Sequence, residues 1–383
     1  MVEAIANSIE DKLIDSLQFK LKEGASYIQD RRSVSYFPQG SNIYQPQNGT
    51  KCIKLLLTDS NSWLDPSTFR VMFDLRNNDE TSTNYLRPIG GPWAFFRRIK
   101  LVVGGQVVED IDYYGRTHEM MHTLTSKASR ENDFCEAFGN EITILEDYKG
   151  LDQADSFYGI PGNQSMTVLF KPLLGLLNQT KFLPLSKMPM TLELELVDSR
   201  NEPIIQPDDA SSTNPKKFTI ANTSNNWSIE NVQVKVDLVS LDNGLQNSYD
   251  SHLLSGNSYP INYNTFITQV QNVIGGTNIV TNTTLGQQKI SLSVSRAITR
   301  LKSVFITLDK DTAYEKSKGG FKARKPHNDF YSPMNDYSMT AGKNPKYYQA
   351  GEFEFQIQIG SKRMPETPIR SHAEAYYQLK KNV

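Results

Sequence analysis

Strict alternation of apolar and polar residues is the feature that most constrains this chain. Four segments show it: Thr191–Val197 (TLELELV), Asn231–Leu241 (NVQVKVDLVSL), Lys289–Ser295 (KISLSVS) and Glu352–Ile359 (EFEFQIQI). A period of two places the apolar side chains on one face of a strand and the polar ones on the other, as in an antiparallel sheet with one face against the core. Because helical patterns are few, the sequence predicts an all-β fold of the sandwich or barrel class with a few short helices.

Turn and capping signals predict one hairpin and three helices. Gly104-Gly105 separates two β-branched runs, which predicts a two-residue hairpin because both positions tolerate positive φ. Apolar residues spaced by four from Ile5 to Leu21 predict an amphipathic N-terminal helix. The segment 113–128 has no breaker after its glycine and could form a second helix. Ser371 and Glu374 form a capping box that predicts a third helix near the end.

Two distant segments resemble each other. Residues 99–104 (IKLVVG) and 355–360 (FQIQIG) are 256 positions apart, and each is an alternating strand, a glycine, a short connection and a helix-like stretch. Two tandem copies of one fold would leave this pattern. We therefore expect an N-terminal helix and arm at 1–50, a first β-sandwich at 51–247 and a second at 248–383. The second copy has fewer strands after its helix, so it is expected to be incomplete at its C-terminal end.

Composition argues against several functional classes. The chain has 41 basic and 42 acidic residues, whereas phosphate binding needs a clustered positive excess, so we expect no sequence-specific nucleic-acid partner. The basic segment Lys310–Pro326 is expected to be a solvated loop or a contact with an acidic neighbour rather than a nucleic-acid patch. The two cysteines, Cys52 and Cys135, provide neither a disulfide framework nor zinc spacing. No apolar run approaches the ~20 residues of a transmembrane segment.

The segment His118–His122 (HEMMH) matches the HExxH pattern of zinc hydrolases. On a helix this spacing puts two imidazoles on one face, with the glutamate between them as a general base for a zinc-bound water. A third ligand is required. Thr125 and Ala128 occupy the positions where one zinc-protease class has Gly and His, and Glu141, the remaining candidate, adjoins an alternating run rather than a clear helix.

The favoured alternative is an amphipathic helix whose Met120, Met121 and Leu124 pack against a sheet. Elsewhere the chain has no His-x-His pair of the cupin type and no glycine-rich phosphate loop. The sequence therefore predicts no catalytic, cofactor-binding or metal-ligating residues, and a protein that is not an enzyme.

Two other clusters have structural interpretations. The basic run Arg97-Arg98-Lys100 is predicted to guard a sheet edge against aggregation, and Glu193 and Glu195 lie on the predicted solvent face of a strand. The aromatic segment Gly90–Phe96 (GGPWAFF) is predicted to pack between two sheets, with a subunit contact as the alternative.

Several segments together resemble the major capsid proteins of polinton-like viruses and virophages, within the double jelly-roll lineage. The residues that carry the resemblance are Asp30–Lys51, Gly91–Met120, Phe170–Leu196, Ser248–Phe266, Phe330–Ser338 and Ser371–Lys381.

The resemblance implies two tandem eight-stranded jelly rolls, the second lacking the last strands of the family pattern. It also implies homotrimeric, pseudo-hexameric capsomers that tile the icosahedral shell of a DNA virus. The protein would be made in the host cell cytoplasm and reside in the virion, with penton and minor or cement capsid proteins as partners. The HEMMH segment would be an ordinary helix of the first roll. A zinc metallohydrolase, or a receptor- or glycan-binding jelly-roll protein, is the alternative.

Overall fold

The computed structural model describes residues 28–47, 50–126, 138, 159–204, 223–272, 291–294, 298–308 and 354–382. Its strands are β1 (Ile28–Tyr36), β2 (Ile43–Tyr44), β3 (Cys52–Leu57), β4 (Trp63–Asn77), β5 (Phe96–Val103), β6 (Gln106–Asp112), β7 (Ser165–Phe170), β8 (Leu183–Pro184), β9 (Met190–Leu196), β10 (Trp227–Leu241), β11 (Phe355–Ile359) and β12 (Lys362–Ile369). Its helices are α1 (Tyr114–Thr123), α2 (Asn243–Leu254), α3 (His372–Asn382) and a 3₁₀ turn at Pro92–Phe95. The predicted all-β class with a few short helices is confirmed.

Two antiparallel sheets form a sandwich. The larger has the order β1-β10-β4-β7, with β2 joined to β10 and β8 to β4, and the other has the order β3-β9-β5-β6. Apart from the β5–β6 hairpin, the eight principal strands alternate between the two sheets along the chain. This is the connectivity of a jelly roll. The predicted hairpin is confirmed, because Val103 pairs with Gln106 across Gly104-Gly105.

Alternation along the central strands builds the core. From β4, Phe69, Val71, Phe73 and Leu75 point inward and are fully buried. Phe73 makes edge-to-face contacts with Phe96 at 5.7 Å and with the phenylalanine that ends β7 at 6.5 Å. Each such side chain contributes about 1.5–3 kcal/mol when it is fully buried. The aromatic segment 90–96 lies in this core, as predicted.

The residues predicted to form an arm ahead of residue 51 include two strands of the sandwich. β1 pairs with β10 from Ile28, opposite Leu241, to Tyr36, opposite Val234. Its side chains are mostly exposed, because β1 lies at the edge of the sheet, so its sequence lacks an alternating pattern. Two strands of the sandwich, β1 and β2, thus precede residue 51. Residues 1–27, with the predicted N-terminal helix, lie outside the described part.

The second half of the chain has its own hairpin followed by a helix. β11 and β12 are joined at Gly360, whose φ of 59° matches the 55° of Gly104 in the β5–β6 turn, and α3 then follows as α1 follows β6. The capping box is confirmed, because the Glu374 amide donates to Ser371 Oγ and the Ser371 amide donates to the Glu374 carboxylate, both at 3.2 Å. The resemblance between the two segments thus extends over three successive elements. None of the described helices is both long and apolar enough to cross a bilayer.

Candidate functional site

Helix α1 packs against the 3₁₀ turn, and Trp93 is the centre of that contact. The His118 ring stacks on the Trp93 indole with a centroid distance of 4.0 Å, and the His122 ring contacts it at 4.9 Å. The two imidazoles lie on one side of the helix with 6.5 Å between their centroids, as the HExxH spacing predicts. This side of α1 is occupied by the indole.

Glu119 and His118 of the motif form hydrogen bonds to other parts of the sandwich. Glu119 is fully buried, and its Oε2 accepts a hydrogen bond from Trp93 Nε1 at 2.7 Å. His118 Nε2 lies 3.2 Å from the Lys171 carbonyl oxygen, an arrangement in which Nε2–H donates. His118 is half-buried as a residue, but its Nδ1 atom is enclosed, and this burial lowers the pKa of the ring to about 3. The motif residues thus hold α1 against the 3₁₀ turn.

The described residues include no cluster of three or more potential metal ligands, and Glu141 lies outside them. The packing of α1 also differs from the prediction, since Met120, Met121 and Leu124 are only half-buried. The buried members of the helix are Tyr114, Gly115, Thr117 and Glu119. The reason is that α1 packs mainly on the 3₁₀ turn and on one strand, β5. Helix α1 ends at Thr123, five residues before the predicted limit.

Glu109 forms a second buried polar site. It lies on β6 at an inward position, is 2 % exposed, and accepts the backbone N–H groups of Gly175 and Leu176 at 2.8 Å each. Burial raises the pKa of the Glu109 carboxyl, whereas these amides and the Thr265 side chain act in the opposite direction. Leu173 N–H donates to Tyr114 Oη at 2.8 Å in the same loop. This site was not predicted from the sequence, although Glu109 and Ile111 alternate with Asp110 and Asp112, a pattern that places the carboxylate inward.

Residues 255–272, here called the connector, lie against this loop. Ile261, Tyr263 and Phe266 pack half-buried on the core of the sandwich. The Lys181 ammonium donates to the Pro260 carbonyl at 3.0 Å, and Thr268 Oγ1 donates to the Asp112 carbonyl. The Asn264 carbonyl approaches Gly175 so closely that a Cβ there would lie 1.8 Å from the oxygen. The chain that follows the sandwich is therefore fitted closely onto it.

Helix α2, which the sequence analysis did not predict, attaches the start of this segment. Trp63 Nε1 donates to Gln246 Oε1 at 2.9 Å, and the Trp63 and Tyr249 rings contact at 5.1 Å. Asp250 pairs with Lys187 at 3.2 Å. Asp242, which caps the helix by accepting from the Gly244 amide at 2.9 Å, was the available sequence signal.

The outward side chains of β3, β9, β5 and β6 form three rows across the sheet, and we call this surface the charged face. The cross-strand rows are Leu56, Thr191, Val102 and Val107; then Lys54, Glu193, Lys100 and Asp110; then Cys52, Glu195, Arg98 and Asp112.

The prediction that the basic run of β5 guards a sheet edge is wrong, because β5 lies between β9 and β6. Its charges are instead neutralised across strands, and Arg98 Nε donates to Asp110 Oδ1 at 2.6 Å. Lys54 and Glu193 form another such ion pair at 2.9 Å. The outward position predicted for Glu193 and Glu195 is confirmed. Cys135 and the basic segment Lys310–Pro326 lie outside the described residues.

No model of a protein family matches the chain, and no curated protein matches it. Among solved structures, it is similar to the capsid of PBCV-1 virus (13% identity, TM-score 0.35, 57% of this chain and 44% of that one). It is also similar to the structure of the Sputnik virophage (10%, 0.35, 56% and 49%) and to the Faustovirus major capsid protein (8%, 0.25, 58% and 56%). The chain thus spans about half the length of these proteins.

Proposed function

We propose that this chain is the major capsid protein of an icosahedral DNA virus. In this proposal the protein is a tile of two jelly rolls standing side by side, the first ending near residue 247 and the second formed by 248–383. Three copies form a pseudo-hexameric capsomer. The observation that carries the proposal is the complete jelly roll of the first half, together with the recurrence of its strand–turn–strand–helix unit after 256 residues.

The contacts between the halves support a rigid tile. The connector is fixed to the sandwich through the loop that Glu109 holds, and α2 is fixed through Trp63. A sandwich leaves few free sheet edges, and packing against a neighbouring unit covers more of them. Closed threefold symmetry would complete the capsomer, and separate, weaker contacts would join capsomers into a shell.

The packing of the HEMMH segment supports a role without catalysis. A zinc hydrolase would need Glu119 beside a metal-bound water, whereas Glu119 is buried against the Trp93 indole. The protein would be made in the host cytoplasm, reside in the virion shell, and contact penton and minor or cement capsid proteins there.

Electron microscopy of the protein expressed together with its penton protein tests this proposal. We expect closed icosahedral particles, or flat hexagonal arrays where the penton is omitted. Only amorphous material or single subunits, under conditions in which the chain is folded by circular dichroism, would contradict it.

A further inference from the structure

The charged face has one sign of charge on each strand. β3 presents Lys54, β9 presents Glu193 and Glu195, β5 presents Arg98 and Lys100, and β6 presents Asp110 and Asp112. Across the sheet the order is positive, negative, positive, negative. The exposed fraction is 56% for the Lys54 side chain, 36% for Arg98, 34% for Asp110 and 21% for Glu193, so each of these is at least partly accessible.

Four columns that alternate in sign are complementary to themselves in one orientation. A second copy can be turned by 180° about an axis along the strands, midway between β9 and β5. It then places β6 opposite β3 and β5 opposite β9, so each column meets the opposite sign. Turning the copy about the perpendicular axis in the plane of the sheet places each strand opposite itself, so like charges meet. The face thus discriminates between its two possible twofold arrangements, which is the main effect of electrostatic complementarity on an interface.

The twofold rotation about the axis along the strands also brings each row of one copy opposite the same row of the other. An axis along the strands leaves each row at its own level, so Lys54 lies opposite Asp110 of the second copy and Glu193 lies opposite its Lys100. In the apolar row, Leu56 (41% exposed) lies opposite Val107 (59% exposed). Charge and apolar surface therefore favour the same arrangement.

We propose that the charged face docks onto the charged face of a second copy of this chain through this twofold axis. The proposal rests on the capsid function and deepens it, because it identifies a surface that joins neighbouring capsomers. Strands ~4.8 Å apart and rows ~6.8 Å apart give about 400 Å² per copy. A stable interface buries about 800 Å² per partner, so this contact is weak and reversible. Contacts of this strength suit growth of a shell from preformed capsomers.

Zero-length carbodiimide cross-linking of the full chain tests the proposal. Unlabelled and ¹⁵N-labelled protein are mixed and cross-linked, and the linked peptides are identified by mass spectrometry. Lys54 and Asp110 are three strands, or about 14 Å, apart in one sheet, so this reagent cannot join them within a chain. We expect a link between Lys54 and Asp110 in peptides that combine the two isotopes.

A variant that reverses the two central columns is the control: Glu193→Lys, Glu195→Lys, Arg98→Glu and Lys100→Glu. It keeps the net charge, and it keeps Lys54 and Asp110, the two residues that form the cross-link. When the variant is mixed with wild type, the yield of the mixed-isotope link between Lys54 and Asp110 should fall at least tenfold. When labelled and unlabelled variant are mixed, the yield should return to the wild-type level. The docking proposal is overturned by absence of the link between wild-type copies, or by an equal yield with the swapped partner. If micrographs show closed particles but the cross-link does not form, only the docking proposal is contradicted. If no particles form, the capsid function is contradicted.

Discussion

Glu109 joins three parts of the protein through a single carboxylate. It projects from β6 into the sandwich, accepts two backbone amides of the loop at 175–176, and reaches Thr265 of the connector. A buried amide that loses its acceptor destabilises the folded state by about 1–3 kcal/mol.

Replacing Glu109 should therefore be among the most damaging single changes in the first sandwich. We expect Glu109→Ala to lower the free energy of unfolding by about 3 kcal/mol, since two buried N–H groups lose their acceptor. Urea denaturation measures the effect. The control is Glu195→Ala on the charged face, which should change the same quantity by less than about 1 kcal/mol. Equal effects of the two substitutions would show that Glu109 does not hold the loop.

His118 should make stability depend on pH in a defined direction. Its pKa is about 3 in the folded protein and about 6.5 in the unfolded chain, so between these values the unfolded chain binds more protons. The neutral His118 imidazole therefore leaves the stability of the fold undiminished above pH 6.5. As the pH falls from 6.5 toward 3, protonation of His118 in the unfolded chain lowers the free energy of unfolding. We expect wild type to lose about 2 kcal/mol relative to His118→Phe between pH 7 and pH 5. Parallel stability curves for the two proteins would contradict the buried, neutral imidazole.

At the scale of elements, alternation predicted the strands that have one face in the core. β9 and β10 have it, because each places one side inward and the other outward. β11 also forms where alternation predicts a strand, although its residues are half-buried or exposed. Lys289–Ser295 alternates as well, but residues 291–294 are exposed and lie in no strand. β1 was missed because most of its side chains are exposed at a sheet edge. Helix α2 was missed because none of its residues is fully buried, so no apolar period marks it. The HEMMH helix was located from the sequence, but its partner Trp93 was not, because contacts between distant segments depend on the tertiary fold.

In the first half of β4, a side chain provides a hydrogen bond where the backbone pairing with β10 is interrupted. Proline at position 66 has no N–H and would normally exclude a strand inside a sheet. The pairing with β10 shifts nearby, between Lys235 and Asp237, and the Asp237 amide donates at 2.9 Å to Thr68 Oγ1. Thr68 Oγ1 in turn donates to the Asp65 carbonyl at 2.9 Å. A hydroxyl thus replaces a backbone acceptor.

This arrangement gives the hydroxyl of the half-buried Thr68 a structural role in the sheet. We expect Thr68→Val to lower the free energy of unfolding by about 1–2 kcal/mol, because the Asp237 amide loses its acceptor while the shape of the side chain is kept. Thr68→Ser keeps the hydroxyl and should change stability by less than about 0.5 kcal/mol. Chemical denaturation of both variants checks this, and equal losses would refute the role of the hydroxyl.

At the scale of the whole molecule, a rigid tile requires that the connector stays docked on the sandwich. Gly175→Ala places a methyl group against the Asn264 carbonyl and should displace the connector. We expect limited proteolysis within residues 255–272 to become at least several-fold faster. Thr180→Ala is an exposed change in the same loop and should leave the cleavage rate unchanged. Protection of the connector in Gly175→Ala would show that the close approach is not needed for docking.

The central claim is that this chain is a structural tile that associates in threes. Size-exclusion chromatography with multi-angle light scattering on the purified full chain measures this most directly. The account predicts a homogeneous species with the mass of three 43.4 kDa chains that persists on dilution to micromolar concentration. A folded protein that remains a monomer across that range would contradict it.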